Sequence, residues 1–395
     1  MSARDREGGT TKLMTEQTER AGHIPIHRQI ADRLAEAIAQ GDYPPGSPLP
    51  SEARLVRELG VSRGTVRHAL STLNSRGLTE AVPSRGTFVR RLSPAKIEFR
   101  RRVVGVVVPS VAMPYVPAVL AGIEEGLHAH GYSMLAGSNG SSREQQAGRV
   151  KRIVDEGVSG LIVYPIDYEP DPELFARLSL GGLPIVFIDR HLIGRPFDAV
   201  VADNVGGAFT AVTHLIAQGH RRIAFVSTDN LTTTSVAERI QGYEQALAAA
   251  GIAADPSLVF ARLRVGKTWG DDYRIANQDN VERIRRFLAR SDATAVFALH
   301  DHLALEVLEA ARALGRNVPR ELAVAGFDDD ALAGALSTPL TTVVQPRERI
   351  GRVAAEVVLD RIAGRRTEVA RIVLPTRLVV RASSVTSAPL EAMPA

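Results

Sequence analysis

The sequence predicts an α/β protein with a small basic domain at its amino terminus and a larger body that contains two parallel sheets. Two short amphipathic helices and a hairpin pattern occupy residues 49–89. Short β-branched strands alternate with helical patterns from residue 103 onward, and the alternation starts again at residue 200. Such alternation is typical of βαβ units, whose parallel strands are buried on both faces of a sheet. Two runs of this kind predict two similar lobes.

The composition supports a large, divided interior. The chain has 395 residues, too many for one hydrophobic core, and 45% of them are hydrophobic. It contains no cysteine, which excludes disulfides, thiolate metal sites and a cysteine nucleophile and is consistent with a reducing compartment. There is no apolar signal segment, and no apolar run approaches the ~18 residues that a membrane span needs. We therefore expect a cytoplasmic protein without a membrane partner.

The charge is unevenly distributed along the chain. The net charge is +4, but residues 51–102 contain 12 Arg or Lys against 4 Asp or Glu, a local balance of +8. The other residues therefore sum to −4. This asymmetry favours a nucleic-acid-binding module joined to a neutral-to-acidic body.

The first two helices follow a polar leader. Residues 1–22 lack periodicity, and we expect them to be disordered. Residues 25–40 predict a helix, and Ser51 is suited to cap the next one because its hydroxyl can accept from the free amides of the first turn. Gly60 is expected to end this second helix. The predicted buried positions are Ile26, Ile30, Leu34, Ala37 and Ile38 in the first helix and Ala53, Val56 and Leu59 in the second.

The third helix combines an apolar stripe with a basic outer face. Ser62 can cap it, and its predicted outward residues are Arg63, Gly64, Thr65, Arg67 and His68, opposite the apolar residues Val66, Ala69, Leu70 and Leu73. Arginine reaches guanine edges or phosphates, threonine and serine reach phosphates, and a small residue permits close approach, so this helix is suited to a major groove. The alternative is an ordinary helical hairpin with solvated arginines.

A hairpin follows this helix pair. Gly86 occupies the tip, where the chain must turn tightly, and Arg85 beside it can enter a minor groove or contact phosphate. We therefore expect the hairpin to contribute DNA contacts of its own.

Six motifs occur in order in this amino-terminal region. They are Pro25–Ile30, Gly41–Gly46, Leu49–Glu52, Val61–Arg63, Thr65–Leu70 and Arg85–Val89. Together they resemble the winged helix-turn-helix domain of the GntR family of bacterial transcription regulators. The resemblance implies a DNA-binding domain over 23–90, with DNA contacts from Ser62, Arg63, Thr65, Arg67, Arg85 and Gly86. Ser51 and Gly64 are further expected DNA-binding residues. The family often has arginine directly after Pro-Ser-Glu, and here that position is Ala53, a departure that Arg54 does not obviously replace.

A charged linker, 91–102, leads into the alternating strands and helices of the body. The first run predicts strands at 103–108, 133–136, 160–164 and 184–189 and helices at 116–130, 143–156 and 171–180. The second run predicts strands at 200–201, 223–226, 258–260, 295–298 and 322–327 and helices at 205–218, 235–250, 274–290 and 302–314. Ligands of open α/β sheets bind outside the carboxyl ends of the strands, so a cleft between two lobes is the expected site.

Five stretches of the body also follow a known pattern. They are Phe187–Arg190, Val201–Ala208, Val324–Asp329, Leu340–Pro346 and Leu374–Ser383. As an ordered set they resemble the effector domain of LacI-family repressors, which is similar to periplasmic sugar-binding proteins. The resemblance covers 103–384, a two-lobed effector-binding and dimerisation domain, and leaves 385–395 as a tail. A GntR-type head on a LacI-type body resembles the arabinose-repressor subfamily.

Several polar residues directly follow strands, where loops converge on the expected cleft. Asp189 and Arg190 follow one strand, Asp328 follows another, and Gln345 lies at a crossover between the lobes. Sugar-binding relatives contact hydroxyls with such an Asp-Arg pair. Buried charges cost several kcal/mol each if unpaired, so a polar ligand that satisfies them gains specificity. The alternatives are a structural ion pair for Asp189 and Arg190 and a hinge role for Gln345.

Four further residues complete the expected ligand site. Arg239 matches a family arginine that reaches into the cleft, and Tyr115 and Trp269 are the expected aromatic walls, although Trp269 could be a core residue. His300 replaces the asparagine that sugar-binding relatives often have, which argues against a simple ribose-like or glucose-like pattern.

A metal-binding site at the histidines is the less favoured interpretation. His300, Asp301 and His302 are consecutive, but two histidines at i and i+2 near a helix start do not easily face one point. Asp301 is instead expected to cap the helix. We expect no metal, no cofactor and no catalytic residue.

These observations predict a ligand-gated transcription regulator, a repressor rather than an activator. Its expected partners are double-stranded operator DNA, a small-molecule effector that is a sugar or related polyol, and a second copy in a homodimer. A regulator of a non-sugar metabolite such as a nucleoside is one alternative. Another is a GntR-headed enzyme with a bound cofactor, but neither candidate lysine, Lys151 or Lys267, follows a clear strand. A transport binding protein is disfavoured by the missing signal segment and the basic head.

Overall fold

The computed structural model describes residues 25–82, 85–90, 102–140, 142–166, 171–263 and 276–385. The predicted leader, residues 91–101 of the predicted linker and residues 386–395 of the predicted tail lie outside the described residues, as do Trp269 and Lys267. The domain boundaries expected from the sequence stay predictions. None of the described helices is long and apolar enough to cross a bilayer.

In its described residues, the amino-terminal domain has three helices and one antiparallel hairpin. The elements are α1 (Ile26–Gln40), α2 (Glu52–Leu59), α3 (Arg63–Ser75), β1 (Thr79–Val82) and β2 (Gly86–Val89). The Arg54 amide donates to Ser51 Oγ at 3.3 Å and the Thr65 amide to Ser62 Oγ at 3.1 Å, which confirms both predicted caps. Gly60 ends α2 with φ +64°, a left-handed conformation that glycine adopts without strain.

Two details of the predicted helix faces are wrong. Ile26 is in phase with the buried positions but is the first residue of α1, at the edge of the core, and is 50% exposed. In α2 the exposed Ala53 contributes nothing to the core, and Leu55 is the fully buried residue. The four apolar positions predicted for α3 are all buried, and they pack against α1.

The first lobe of the body is built on a six-stranded parallel sheet in the order β4-β3-β5-β6-β7-β13. Its strands are β3 (Val103–Val108), β4 (Ser133–Ser138), β5 (Gly160–Val163), β6 (Ile185–Ile188), β7 (Asp198–Ala202) and β13 (Arg371–Leu374). The helices of this run are α4 (Val116–His128), α5 (Arg143–Asp155) and α6 (Pro172–Leu180). The predicted βαβ alternation is confirmed here, since every pairing in the sheet is parallel.

The second lobe contains a sheet in the order β9-β8-β10-β11-β12-β14, in which only the edge strand β14 is antiparallel. Its strands are β8 (Ile223–Thr228), β9 (Val259–Leu263), β10 (Ala295–Ala298), β11 (Ala323–Asp328), β12 (Thr341–Val344) and β14 (Arg377–Val379). The helices are α7 (Asn204–Ala217), α8 (Thr234–Ala249), α9 (Gln278–Arg290), α10 (Asp301–Ala313) and the short α11 (Ala331–Ala335).

The chain does not finish one lobe before it builds the other. After β12 it returns as α12 (Arg347–Ile362), which packs in the core of the first lobe, and β13 then joins the first sheet beside β7. The carboxyl-terminal strand β14 goes back to the second sheet. Two successive runs were predicted, with the strand at 200–201 opening the second, but the structure places this strand, β7, in the first sheet beside β6. Strand neighbours are decided by backbone pairing, which hydrophobic periodicity does not report.

Candidate functional site

The exposed face of α3 carries the candidate DNA-reading residues. Arg63 and Arg67 have side chains that are 73% and 69% exposed, and both lie beside Glu52 of α2. Arg63 Nε donates to Glu52 Oε2 at 3.1 Å, and Arg67 Nε donates to Oε1 at 3.4 Å. These two arginines hold the pKa of the Glu52 carboxyl below its usual value. Glu52 belongs to the predicted motif Leu49–Glu52, but its pairing with the two arginines was not predicted.

The other predicted head residues lie at the start of α2, at the start of α3 or on the hairpin. Ser51, Ser62 and Gly64 are exposed and Thr65 is half-buried, with its hydroxyl 2.8 Å from that of Ser62. Both serine hydroxyls also accept a backbone amide as helix caps. The structure therefore brings the predicted α3 residues together in two turns.

The hairpin presents the last two predicted head residues. Gly86 has φ +109°, which only glycine adopts readily, and the guanidinium of exposed Arg85 lies 5.7 Å from the Phe88 ring.

Two of the predicted ligand residues in the body have unusual backbone conformations. Among the described residues, Asp189, Asp328 and Asp329 are the only non-glycine residues with positive φ, at 65°, 118° and 52°. Asp189 directly follows β6 and Asp328 ends β11, so both lie at carboxyl ends of strands. Strained backbone of this kind is concentrated at functional sites, because packing elsewhere must maintain it.

Asp189 and Arg190 form an ion pair within the first lobe. Arg190 Nε lies 3.2 Å from Asp189 Oδ2, and both side chains are largely buried. The guanidinium of Arg190 lies over the Tyr164 ring at 5.0 Å and donates to the Pro165 carbonyl at 3.4 Å. The ion pair that was the alternative interpretation therefore exists, and a ligand contact from the same pair stays a prediction.

Arg239 and Asp328 meet in the second lobe. The Arg239 guanidinium stacks on the Phe327 ring at 3.8 Å, donates to Asn204 Oδ1 at 3.0 Å and to the Leu299 carbonyl at 2.6 Å, and lies 3.6 Å from Asp328 Oδ1. Burial raises the pKa of Asp328 to about 6, although Arg239 opposes this shift. These protein groups therefore fix the orientation of the Arg239 guanidinium.

The crossover between β12 and α12 adds a residue that the sequence analysis missed. Gln345 Nε2 donates to Asp328 Oδ1 at 2.6 Å. Two residues later, Arg347 Nη2 donates to Asp330 Oδ1 at 2.8 Å and to the Asp328 carbonyl. Its guanidinium lies 5.5 Å from the Tyr115 ring. The available signal was its position directly after the Gln345-Pro346 crossover.

Tyr115 lies where the charges of this cluster converge. Burial raises the pKa of its hydroxyl well above the usual value, and the nearby charges of Asp189, Arg347, Asp328 and Arg239 also act on it. Six of the predicted ligand residues, from both lobes, therefore lie near one another, whereas Trp269 lies outside the described residues. We call the group Tyr115, Asp189, Arg190, Arg239, Asp328, Gln345 and Arg347 the polar cluster.

Three buried atoms of the polar cluster have no hydrogen-bond partner in the part of the chain that the structure describes. They are Tyr115 Oη, Gln345 Oε1 and Arg347 Nε. A buried polar atom without a partner costs about 1–3 kcal/mol, so most such atoms in proteins are paired. These three atoms therefore offer unused hydrogen-bonding capacity in one cluster.

The residue that caps α10, beside the polar cluster, differs from the prediction. His300, not Asp301, caps α10, because the Leu303 amide donates to His300 Nδ1 at 3.2 Å. Asp301 is instead buried beneath the cluster, where it accepts from Thr342 Oγ1 at 2.5 Å and from the Asp330 amide at 2.9 Å. Burial lowers the pKa of His300 well below its usual value, so this ring is a neutral hydrogen-bonding group at neutral pH.

Comparisons with known proteins agree with this division of the chain. Residues 26–89 match the family described as bacterial regulatory proteins, gntR family, and residues 212–384 match the periplasmic binding protein-like domain. The chain is 33% identical over 341 residues to the HTH-type transcriptional regulator CelR of Thermobifida fusca, which covers 82% of this chain and 95% of that protein. It is 29% identical over 371 residues to the arabinose metabolism transcriptional repressor of Geobacillus stearothermophilus, covering 91% and 98%.

A solved structure resembles most of the chain. It is described as a transcriptional regulator CelR–cellobiose complex, with a TM-score of 0.65, 30% identity, and coverage of 85% of this chain and 100% of that one.

Proposed function

Because this chain belongs to the bacterial transcription regulators that join a GntR-type helix-turn-helix head to a periplasmic-binding-protein-like body, we propose that it is a repressor whose operator affinity is controlled by a sugar bound at the polar cluster. In this proposal the start of α3 reads base edges and phosphates, and the hairpin at Arg85 and Gly86 contacts the adjacent groove. Two heads of a homodimer would read a pseudo-palindromic operator in the cytoplasm.

The observation that carries the effector proposal is the set of unpartnered buried atoms in the polar cluster. Tyr115, Gln345 and Arg347 each offer a hydrogen-bonding atom that no described residue satisfies. Sugar hydroxyls donate and accept hydrogen bonds, so they suit a site that mixes carboxylate, amide, guanidinium and phenol groups. The bound cellobiose of the CelR complex supports the same class of ligand.

The effector proposal is tested by calorimetric titration of the full-length chain with cellobiose, L-arabinose, D-ribose and adenosine. We expect one of the three sugars to bind and to change the affinity for an operator fragment selected from genomic DNA. Binding of adenosine alone would support the nucleoside-type alternative instead. The proposal assigns no reaction to the chain, and an absorbance scan of the purified protein for pyridoxal phosphate tests the enzyme alternative.

Replacement of the α3 arginines tests the DNA-reading face. Arg63→Ala and Arg67→Ala should each weaken specific operator binding by about 1–3 kcal/mol, because each removes a donor able to reach a base edge or phosphate. Fluorescence anisotropy on the selected operator measures the loss, and sugar binding should stay unchanged. Arg33→Ala, on the exposed side of α1, is the matched control. Wild-type operator affinity in both α3 variants would refute this assignment.

A further inference from the structure

We propose that Glu238 and Arg371 form an ion pair between the two lobes, and that this pair favours the lobe arrangement in which the polar cluster is assembled. Glu238 lies on α8 of the second lobe, and Arg371 is the first residue of β13, the edge strand of the first sheet. We call this pair the inter-lobe ion pair. Neither residue belongs to the polar cluster, and only the expected effect on sugar binding rests on the proposed function.

The inter-lobe ion pair is a direct contact between a largely buried carboxylate and a half-exposed guanidinium. Arg371 Nη2 donates to Glu238 Oε1, and the two side chains are 41% and 13% exposed. Burial raises the pKa of the Glu238 carboxyl, and the positive charge of Arg371 opposes this shift. A carboxylate withdrawn from water loses more when it is separated from its partner than an exposed one does. Movement of β13 away from α8 is therefore unfavourable.

A second contact joins the same face of α8 to the first lobe. The His191 amide, in the loop after β6, donates to Thr234 Oγ1 at 3.2 Å. Thr234 is the first residue of α8 and Glu238 follows it by four positions, so the two lie on one face of the helix. The helix itself is attached to the second sheet, since Tyr243 Oη donates to the Ile223 carbonyl at 2.8 Å. A change in the arrangement of the lobes therefore has to alter both contacts.

Asn204 connects the inter-lobe ion pair to Arg239 of the polar cluster. Its Nδ2 donates to Glu238 Oε2 at 3.1 Å and to the Ala202 carbonyl at 3.3 Å, and its Oδ1 accepts from Arg239 Nε at 3.0 Å. A flipped amide would place Nδ2 against the guanidinium, so these partners allow one orientation. Asn204 and Glu238 are therefore positioning residues for Arg239.

The inter-lobe ion pair and a ligand at the polar cluster favour the same lobe arrangement, because the cluster combines groups of both lobes. When only a fraction of the molecules has that arrangement, the apparent Kd is the intrinsic Kd divided by that fraction. Loss of the pair lowers the fraction and weakens ligand binding without removal of a ligand contact. Since ligand and operator are coupled, the same loss acts on operator binding in the direction opposite to the ligand.

The lobe arrangement is measured first, in the absence of sugar. The chain contains no cysteine, so Lys151→Cys on α5 and Ala289→Cys on α9 introduce two exposed spin-label sites, one in each lobe. Double electron–electron resonance is recorded on labelled full-length chain diluted into unlabelled chain, so that distances within one subunit dominate. Glu238→Gln and Arg371→Gln should each shift the distance distribution.

The control for this measurement is an ion pair that lies within one lobe. Arg365→Gln removes an exposed pair with Asp360 at 2.7 Å, both of which lie in or directly after α12, and it should leave the distribution unchanged. If Glu238→Gln does not fold, Arg371→Gln removes the same pair from its more exposed side. A wild-type distribution in the folded variants would overturn the proposal, whether or not any sugar binds.

Calorimetric titration with cellobiose, L-arabinose and D-ribose measures the effect on sugar binding. For the sugar that binds the wild type best, Glu238→Gln and Arg371→Gln should each weaken binding about three- to tenfold. The double variant should lose no more than the weaker-binding single variant, because either substitution breaks the same pair. Additive losses would contradict a shared contact.

Operator binding in the absence of sugar separates a change in lobe arrangement from a local defect near Arg239. Both variants should change operator affinity in the direction opposite to that in which the sugar changes it in the wild type. A change in the same direction, or none, would overturn the proposal. A wild-type chain that binds none of the three sugars would reject the sugar-effector proposal, and the distance measurement would still decide the role of the inter-lobe ion pair.

Discussion

At the residue scale, this protein places ionisable groups where water cannot solvate them. Asp328 and Asp301 are buried at the carboxyl end of the second sheet, and burial raises the pKa of both carboxyls. Positive φ at Asp189 and Asp328 adds backbone strain at the same ends of the sheets. Buried and strained groups of this kind lower stability, so their concentration in one cluster favours a binding role over a structural one.

The effect of burial on the pKa of a carboxyl group can be tested at Glu306, which lies outside the polar cluster. Its side chain is 1% exposed, lies 3.5 Å from His302 Nε2, and accepts from the Asn277 amide at 3.1 Å. Burial raises its pKa from 4.5 to about 7. Between these pH values the folded state therefore binds more protons than the unfolded state, so the contribution of Glu306 to stability falls as pH rises.

Glu306→Gln should remove this pH dependence. Relative to wild type, the variant should gain roughly 3 kcal/mol in free energy of unfolding between pH 4.5 and pH 8, because glutamine stays neutral throughout. Chemical denaturation followed by circular dichroism at several pH values measures the difference. A difference that does not change with pH would show that Glu306 titrates normally.

At the element scale, α12 packs closely against α4 of the first lobe. A Cβ on Gly122 of α4 would lie 2.0 Å from the Glu348 carbonyl oxygen, and one on Gly351 of α12 would lie 2.1 Å from the Val119 carbonyl oxygen. Both obstacles are backbone atoms, which cannot turn aside as a flexible side chain would. The α4–α12 crossing therefore requires glycine at both contacts, and α12 is the helix that begins with Arg347.

Two alanine substitutions should have opposite effects on stability. Gly351→Ala should destabilise the body by about 1–3 kcal/mol, because the added methyl separates α4 from α12. Gly148→Ala in α5 should stabilise it by about 0.5–1 kcal/mol, since nothing lies within 4 Å of the added Cβ and alanine favours a helix. Urea denaturation of both variants measures these changes. Equal effects at the two positions would contradict the close α4–α12 contact.

At the scale of the whole molecule, the body is suited to couple ligand binding to a change in lobe arrangement. Its two sheets are joined by short crossover segments, and one of them carries Gln345 and Arg347, which contact Asp328 and Asp330. A ligand at the polar cluster would touch groups of both lobes and of this crossover. It can shift the arrangement only by binding one state more tightly than another.

Ligand and operator should therefore change each other's affinity by the same factor. We expect a factor of about 5–150 in either direction of the measurement, as is typical of coupled sites. Operator binding measured with and without saturating sugar gives one value, and sugar binding with and without saturating operator gives the other. A sugar that binds the body but leaves operator affinity unchanged would reject the gating proposal.

The sequence by itself determined the elements whose signals are local. The caps at Ser51 and Ser62, the buried stripe of α3 and the strand–helix alternation follow from side-chain chemistry and periodicity within a few residues. The same is true of Asp189 and Asp328, whose positions after apolar strands placed them at the carboxyl ends of the sheets. These local signals were sufficient to predict the two-part architecture and the positions of these two aspartates, whereas Arg239 and Tyr115 were predicted from the family resemblance.

Only the tertiary structure decided which distant segments meet. Nothing local indicates that β13 pairs with β7, that α12 crosses α4, or that Arg347 reaches Asp330, since each depends on contacts between segments far apart in sequence. The choice of His300 over Asp301 as the cap of α10 is of the same kind, because Asp301 is held by Thr342 from another strand. Long-range packing determines such contacts, and a single sequence does not display it.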